Sequence, residues 1–515
     1  MTADHLNRKN CLRNTVLFGL FAVLEITAGI FMVCGGVYKE EAVLTLFAAN
    51  VALNLAVLAD LLTNMRRDFP LFIFAASFNL LLLGRVYVAF LSDFNDILYD
   101  LEADDYRNLF IALQVVTMSF LFVYGAYRLS APLFSRREAA VREKGAGALR
   151  KSPLLPMIRQ ISVAVLLISS LAFFFTLFQT ILNVFRYGYM KSFTQEAENN
   201  APFAVSRLSM FFTPAFAVFL ATMPNRRQMK LPFVVYGVYM LASLFTGRRN
   251  TFVCEALMLL IYFALRDGLR EKKDRFFRKR TVLLVILGGI VLVYFLEIIA
   301  EVRAGKGLSP REMLSSLVNF VYSQGASFRV VVQTVNHWDR FDHAEAWRYL
   351  FYPFEQFAHN NIFIRTMFGL SPIVEVQNTA FIELTHNFAH VLTYMVDPWR
   401  YLWGGGFGTS FVAEAYVAYG MVGVAAVSAM IGVAFRFFST LLTRRWVVVA
   451  LGLIAVKDFI YLPRDFAFMW VSDVFNFTYL CFFAGVYLLA LLFVRMGAHV
   501  RKVRTGLQVP AEEKP

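Results

Sequence analysis

The chain has 515 residues, of which 58% are apolar and only 17% charged, where a soluble domain carries about a quarter. Fifty-five phenylalanines and a mean hydropathy of +0.56 exclude a water-soluble globular fold and predict an all-α, polytopic membrane protein. The formal charge of +14 is no sign of nucleic-acid binding, because the basic residues fall in short segments between apolar runs, where they set topology.

A bilayer core of about 30 Å needs roughly 20 apolar residues per helix. Runs near 14–37, 42–65, 69–91, 108–127, 161–184, 205–223, 231–246, 250–265, 281–300, 411–435, 446–462 and 474–494 predict about 12 transmembrane helices. The first run is too long for the apolar core of a cleaved signal and lacks a small-residue cleavage site, so it reads as a retained span. With a cytoplasmic N-terminus, the alternate connections hold 32 of the 50 lysines and arginines, which places both termini in the cytoplasm. Cys11, Cys34, Cys254 and Cys481 form no C-x-x-C pair, and three of them lie in apolar runs; neither a disulfide framework nor a metal site is expected.

The connections on the other side differ in kind. Residues 92–107 carry six acids and read as a solvated surface segment, and 185–204 is short and polar. The third, 301–408, divides the chain into 1–300 (spans one to nine), a large extracytoplasmic loop, and 409–515 (spans ten to twelve and a tail). A loop of that length without structure would be unusual. Ser309-Pro310-Arg311-Glu312 is a capping box with proline at the first helical position, followed by amphipathic spacing at Met313, Leu314, Leu317, Val318 and Val321. Further helices are expected at 326–337, 344–359 and 380–396, separated by Pro353, Pro372 and Pro398.

Chemistry-bearing residues gather in this loop. It holds five of the seven histidines (His337, His343, His359, His386, His390), four of the six tryptophans (Trp338, Trp347, Trp399, Trp403) and the arginines Arg303, Arg311, Arg329, Arg340, Arg348, Arg365 and Arg400. The tryptophans read either as an interfacial belt or as flat faces for sugar rings. Outside the loop, Arg85 ends an apolar run, Arg248 and Arg249 sit in a turn between spans, and Arg464 follows Pro463. Guanidinium groups near a bilayer are costly unless paired or functional, and they suit bidentate binding of phosphate oxygens. The bland alternatives are that Arg248 and Arg249 anchor their turn and that Arg464 pairs with Asp465.

Glu383, His386 and His390 stand three and four apart, which on one helix puts them on one face. H-E-x-x-H is absent and no fourth ligand is visible, so His386 reads as a general base, a hydrogen-bond donor or a structural histidine rather than a metal ligand. The glycines of 404–408 can present N–H groups to an anion or simply turn the chain. Glu414, one turn into the tenth span, needs a partner or a role. Glu25, Asp60 and Glu255 are further intramembrane acids with no assignment.

In order along the chain, "LFTGRRNTF", the long loop, "GGGFGTSFVAEAYVAYGMVGV" and "YLPRDFAF" resemble the Wzy-type polymerases of bacterial O-antigen and capsular polysaccharide over roughly 240–490. The first half is similar only in being multi-spanning, with an arginine after "LLLLG". The resemblance implies an architecture like that of C-type glycosyltransferases and O-antigen ligases, in the bacterial cytoplasmic (inner) membrane. It implies transfer of a glycan from its undecaprenyl (polyprenyl) diphosphate carrier to an incoming lipid-linked repeat unit, with no cofactor. A chain-length regulator and a flippase are the partners it suggests. For such a reaction Arg248 and Arg249 are the leading diphosphate ligands, with Arg303 and Arg464 next and Arg85 or Arg329 after them. His386 leads as base, with Glu414 or Glu383 as replacements. The rival readings are a ligase-type transferase and, in a different class, a lipid-linked oligosaccharide flippase or transporter, against which the gathering of charge at one mouth argues.

Overall fold

Apolar runs close into helices because, in lipid, every backbone N–H and C=O must be paired within the chain. The structure, a computed structural model, describes residues 3–36, 39–91, 96–134, 154–187, 201–247, 249–270, 275–303 and 313–506. Its helices in chain order begin with α1 (Ala3–Cys34), α2 (Lys39–Thr63) and α3 (Met65–Phe78), which runs through a π-helical turn at Asn79–Leu83 into α4 (Gly84–Leu91). Then come α5 (Ile97–Leu101), α6 (Tyr106–Leu129), α7 (Leu154–Tyr187), α8 (Phe203–Ser209), α9 (Phe212–Ala221), α10 (Arg226–Ser243), α11 (Arg249–Gly268) and α12 (Lys279–Arg303). The loop contributes α13 (Met313–Gln324), α14 (Ser327–Asn336), α15 (Trp347–Asn360), α16 (Ile362–Phe368), α17 (Thr379–Leu384), α18 (Phe388–Val396) and α19 (Pro398–Leu402). The last part adds α20 (Phe411–Ser439), α21 (Trp446–Tyr461), α22 (Trp470–Val474) and α23 (Phe477–Gly506). No strand occurs among the described residues.

Among the described residues, ten helical segments are long and apolar enough to cross a membrane. The other two expected spans, 250–265 and 281–300, are helical as α11 and α12 but fall short of that standard: the apolar part of α12 is Arg280–Tyr294, and α11 carries Arg249, Glu255, Arg266 and Asp267. Nevertheless α11 packs between α3 and α21, inside the bundle. Its charges are accommodated by partners there. Glu255 accepts a hydrogen bond from Tyr236 Oη (2.8 Å) and meets Lys457 Nζ at 3.5 Å. The Arg266 guanidinium donates to the Pro224 carbonyl (2.6 Å), and the Asp267 carboxylate accepts from the N–H groups of Phe276 and Phe277. Two further intramembrane acids are partnered as well: Glu25 by Gln114, and Asp60 by Tyr124 (2.6 Å) and Arg128.

The tenth span is not continuous. Within α20, Tyr419 and Gly420 leave helical geometry, and Gly420 at φ 58°, ψ −148° uses a conformation open only to glycine. The loop becomes a chain of short helices for a local reason: Asn361, Asn378, Asn387 and Asp397 each cap the N-terminus of the helix that follows, their side chains accepting its first free N–H groups. This breaks the helix expected at 380–396 into α17 and α18, with Thr385–Asn387 extended between them. Pro353 does not separate helices either; it lies inside α15. The capping box at 309–312 lies outside the described residues.

Candidate active site

The π-helical turn at Asn79–Leu83 is the floor on which distant parts of the chain meet. Helix α14, carrying Arg329, packs against it, as does the 3-10 turn Leu462–Arg464. Arg85 lies two residues past the turn, and the turn's Leu80 packs against the buried pair Leu244 and Phe320, as does Phe252, one helical turn beyond Arg249. One extra residue per turn widens a helix, and such bulges recur at functional sites.

Above this floor three arginines converge. Arg85 Nη1 lies 3.6 Å from one carboxylate oxygen of Glu102, and the Arg329 guanidinium pairs with the other. Arg85 also rests 4.6 Å from the Tyr322 ring centroid. The Phe407 ring receives Arg329 at 4.1 Å and Arg400 at 4.9 Å. Burial holds the Arg329 guanidinium below its ordinary pKa; Glu102 opposes that, and the nearby Arg400 and Arg85 add to it. Two half-buried guanidiniums sharing one carboxylate, with the exposed Arg400 beside them, leave an excess of positive charge in fork-like donors, the arrangement that binds phosphate oxygens.

The other arginines picked from the sequence are placed differently. Arg464 does not pair with Asp465, whose Oδ1 accepts the Phe466 N–H (2.8 Å). Arg249 opens α11 and is engaged within the fold. Arg248 and the Arg303 side chain lie outside the described residues. Arg400 appears in the sequence only as one of the loop arginines, and nothing local sets it apart; its proximity to Arg329 is tertiary.

His386 sits in the extended link before α18. Its Nδ1 lies 3.2 Å from Glu355 Oε2 on α15, and its side chain is 20% exposed. None of the other loop histidines meets a carboxylate among the described residues. His337 and His359 contact backbone carbonyls, His343 stacks on Trp338, and His390 Nδ1 meets the Tyr401 hydroxyl at 2.9 Å. Burial keeps the His390 pKa below the usual value. Beside His386, Glu375 Oε1 accepts from Tyr352 Oη (2.7 Å), Gln356 Nε2 (3.0 Å) and Asn387 Nδ2 (3.0 Å). Burial pushes the Tyr352 hydroxyl well up, so it stays protonated and donates. The common face predicted for Glu383, His386 and His390 does not form, because the three belong to α17, the link and α18, and Glu383 is exposed at the end of its helix.

Glu414 is fully buried, and both its oxygens are occupied, one by the Thr409 hydroxyl and the other by the Ala467 N–H (3.0 Å). It ties the glycine loop to the turn that carries Arg464. That turn in turn supports α15, through Phe466 against Tyr352 and Phe468 against Phe351. The N–H groups of the glycine loop are not all open to an anion: Gly404 and Gly405 bond to the carbonyls of Tyr401 and Arg400, and Phe407 N–H to Thr393 Oγ1 (3.1 Å). The Phe407 N–H bond to Thr393 ties the ring that receives Arg329 and Arg400 to α18, the helix that follows the His386 link. Trp399 on α19 and Trp403 at its C-terminal cap stand exposed, at 75% and 78%, whereas Trp338 is packed against Tyr416.

The family profile of O-antigen polysaccharide polymerase Wzy matches residues 16–496, nearly the whole chain. No curated protein and no solved structure matches it.

Proposed function

Since the chain belongs to the Wzy family of O-antigen polysaccharide polymerases, we propose that the repeat units it joins arrive on polyprenyl diphosphate and that the arginine cluster receives the diphosphate. The observation that carries this reading is the convergence of Arg85, Arg329 and Arg400 at the mouth of a multi-pass bundle. An acceptor hydroxyl attacks the anomeric carbon of the donor glycan. The bond from that carbon to the diphosphate oxygen breaks, with its electron pair remaining on the oxygen. Guanidinium groups already in place stabilise that charge as it develops. Arg464, on a turn packed against the same floor, assists, and so does Arg249 at the start of α11.

His386 takes the hydroxyl proton. With Nδ1–H donating to Glu355, the ring is held in the tautomer that leaves Nε2 free to accept. Glu414, enclosed and doubly hydrogen-bonded, holds the glycine loop and the Arg464 turn together rather than moving a proton. Glu383, exposed and away from the histidine, has no part in the step. Trp399 and Trp403 offer flat faces to the sugars. The site faces the outer side of the bacterial cytoplasmic membrane, both termini are cytoplasmic, and a flippase and a chain-length regulator act alongside.

The test is complementation of a polymerase-deletion strain with His386→Ala and Arg329→Ala proteins whose membrane insertion is verified. Single repeats capped onto the lipid acceptor, without a ladder of longer chains, are expected. A full ladder from either variant overturns the assignment, and uncapped repeats in the deletion strain itself would favour a ligase.

A further inference from the structure

Glu102 comes from the acidic segment that the sequence presents as a solvated surface, yet the structure holds it tightly. It ends α5 in left-handed backbone, φ 57°, which a residue with a side chain adopts only when its surroundings impose it. Here they do: the Glu102 carbonyl accepts from Asn336 Nδ2 (2.9 Å) and Gln333 Nε2 (3.2 Å), and the Asp104 N–H donates to Asn336 Oδ1 (3.4 Å). Asn336 and Gln333 belong to α14, the helix that presents Arg329. The backbone is clamped to the arginine helix, while among the described residues the carboxylate pairs only with the guanidiniums of Arg85 and Arg329 and keeps 29% exposure. The side chain can therefore swing away without disturbing the clamp.

We propose that Glu102 is the resident counter-anion of the diphosphate site: it occupies the arginines when the site is empty, yields them to the donor diphosphate, and returns as polyprenyl diphosphate leaves. This rests on the reading above that Arg85 and Arg329 bind the diphosphate. Half-buried guanidiniums without an anion repel one another and are expensive to keep out of water, so an empty site needs a counter-charge to keep its shape. The same charge competes with the ligand and weakens its binding by the fraction of time the arginines are taken. Product release then exchanges one anion for another instead of leaving bare cations. Glu102 acts through the arginines and is a positioning residue, with a competitor's effect on affinity.

The experiment titrates farnesyl diphosphate into the full chain in lipid nanodiscs, for the wild type, Glu102→Gln, Glu102→Gly, Arg85→Ala and Arg329→Ala. Glu102→Gln keeps the length of the side chain and removes the charge, while Glu102→Gly also relieves the left-handed backbone, so one of the two is expected to remain folded. Both should bind about tenfold more tightly than the wild type, as when a site nine-tenths blocked is opened. Both should also show slower multiple-turnover polymerisation with an undiminished first linkage, because release is delayed. Each arginine variant should bind at least tenfold more weakly. A purely structural Glu102 would give equal or weaker binding in both glutamate variants; that result, with the arginine variants weakened, overturns the inference and leaves the arginine reading standing. Unchanged binding in Arg85→Ala and Arg329→Ala, or no binding by the wild type, overturns the arginine reading and the inference with it.

Discussion

Gly325 lies in the turn between α13 and α14, against the backbone that carries Arg85. A Cβ at this position would stand 2.0 Å from Arg85 N and 2.8 Å from both Arg85 Cβ and the Gly84 carbonyl carbon. Ordinary contact begins near 3.4 Å, so Gly325→Ala requires the two segments to part by about 1.4 Å. Backbone faces backbone here, and no side-chain rotation relieves the clash. Overpacking of this kind costs about 1–3 kcal/mol. The displacement would carry Arg329 on α14 away from Arg85 and Glu102, and a misplacement of about 1 Å at a reacting centre can cost roughly a hundredfold in rate. The assay is the glycan ladder made in a polymerase-deletion strain, normalised to protein in the membrane, with melting of the purified chain compared at one scan rate because unfolding of such proteins is irreversible. Gly325→Ala should lose the ladder out of proportion to its loss of melting temperature. Gly84→Ala, whose Cβ would meet the Val321 carbonyl at 2.7 Å, should be milder. A wild-type ladder and an unshifted melting temperature for Gly325→Ala would refute the close approach and the idea that it sets the arginine geometry.

Glu414→Ala leaves the Thr409 hydroxyl and the Ala467 N–H without their partner, at about 1–3 kcal/mol each, and should lower the melting temperature and the amount inserted. Glu414→Gln keeps an acceptor and should retain a ladder; an inactive but stable Gln variant would make Glu414 a proton-transfer group after all. Glu355→Gln should slow polymerisation by about ten- to a hundredfold with little change in farnesyl diphosphate binding, since it frees the His386 tautomer without touching the arginines; equal loss of both would count against the dyad. Asp465, on the turn outside the spans, is pushed up to about 7 by burial, with Asp473 adding to the effect and the Phe466 N–H opposing it. A raised pKa gives stability that is complete below the ordinary carboxylate value and lost as pH rises through about 7. The melting temperature of Asp465→Asn should therefore gain on the wild type as pH climbs from about 4 to 7 and hold its lead above that; a gap independent of pH would show that Asp465 titrates normally. Arg329→Lys retains the charge but not the planar fork, and should lose most of the ladder; full activity would mean that only charge is required there.

Hydropathy and helical periodicity are one-dimensional properties, and they sufficed for the class, for the ends of most spans and for the presence of helices in the long loop. Membrane insertion reads apolarity locally, segment by segment, which is why it is legible without a fold. Where a local competitor acted, periodicity misled: Asn387 caps a new helix and splits the face on which Glu383, His386 and His390 were expected. Charge in α11 was likewise tolerated through partners that hydropathy does not register, such as Tyr236 and Lys457 for Glu255. The grouping of the candidate site residues was decided only by tertiary structure. Glu102 meets Arg329 across more than two hundred residues of sequence, His386 meets Glu355 from another helix, and Arg400 reaches Arg329 over the ring of Phe407. Electrostatic pairing depends on distance in space and not along the chain, so residue types could nominate the arginines and the histidine, but only packing on the π-helical turn could say which of them stand together.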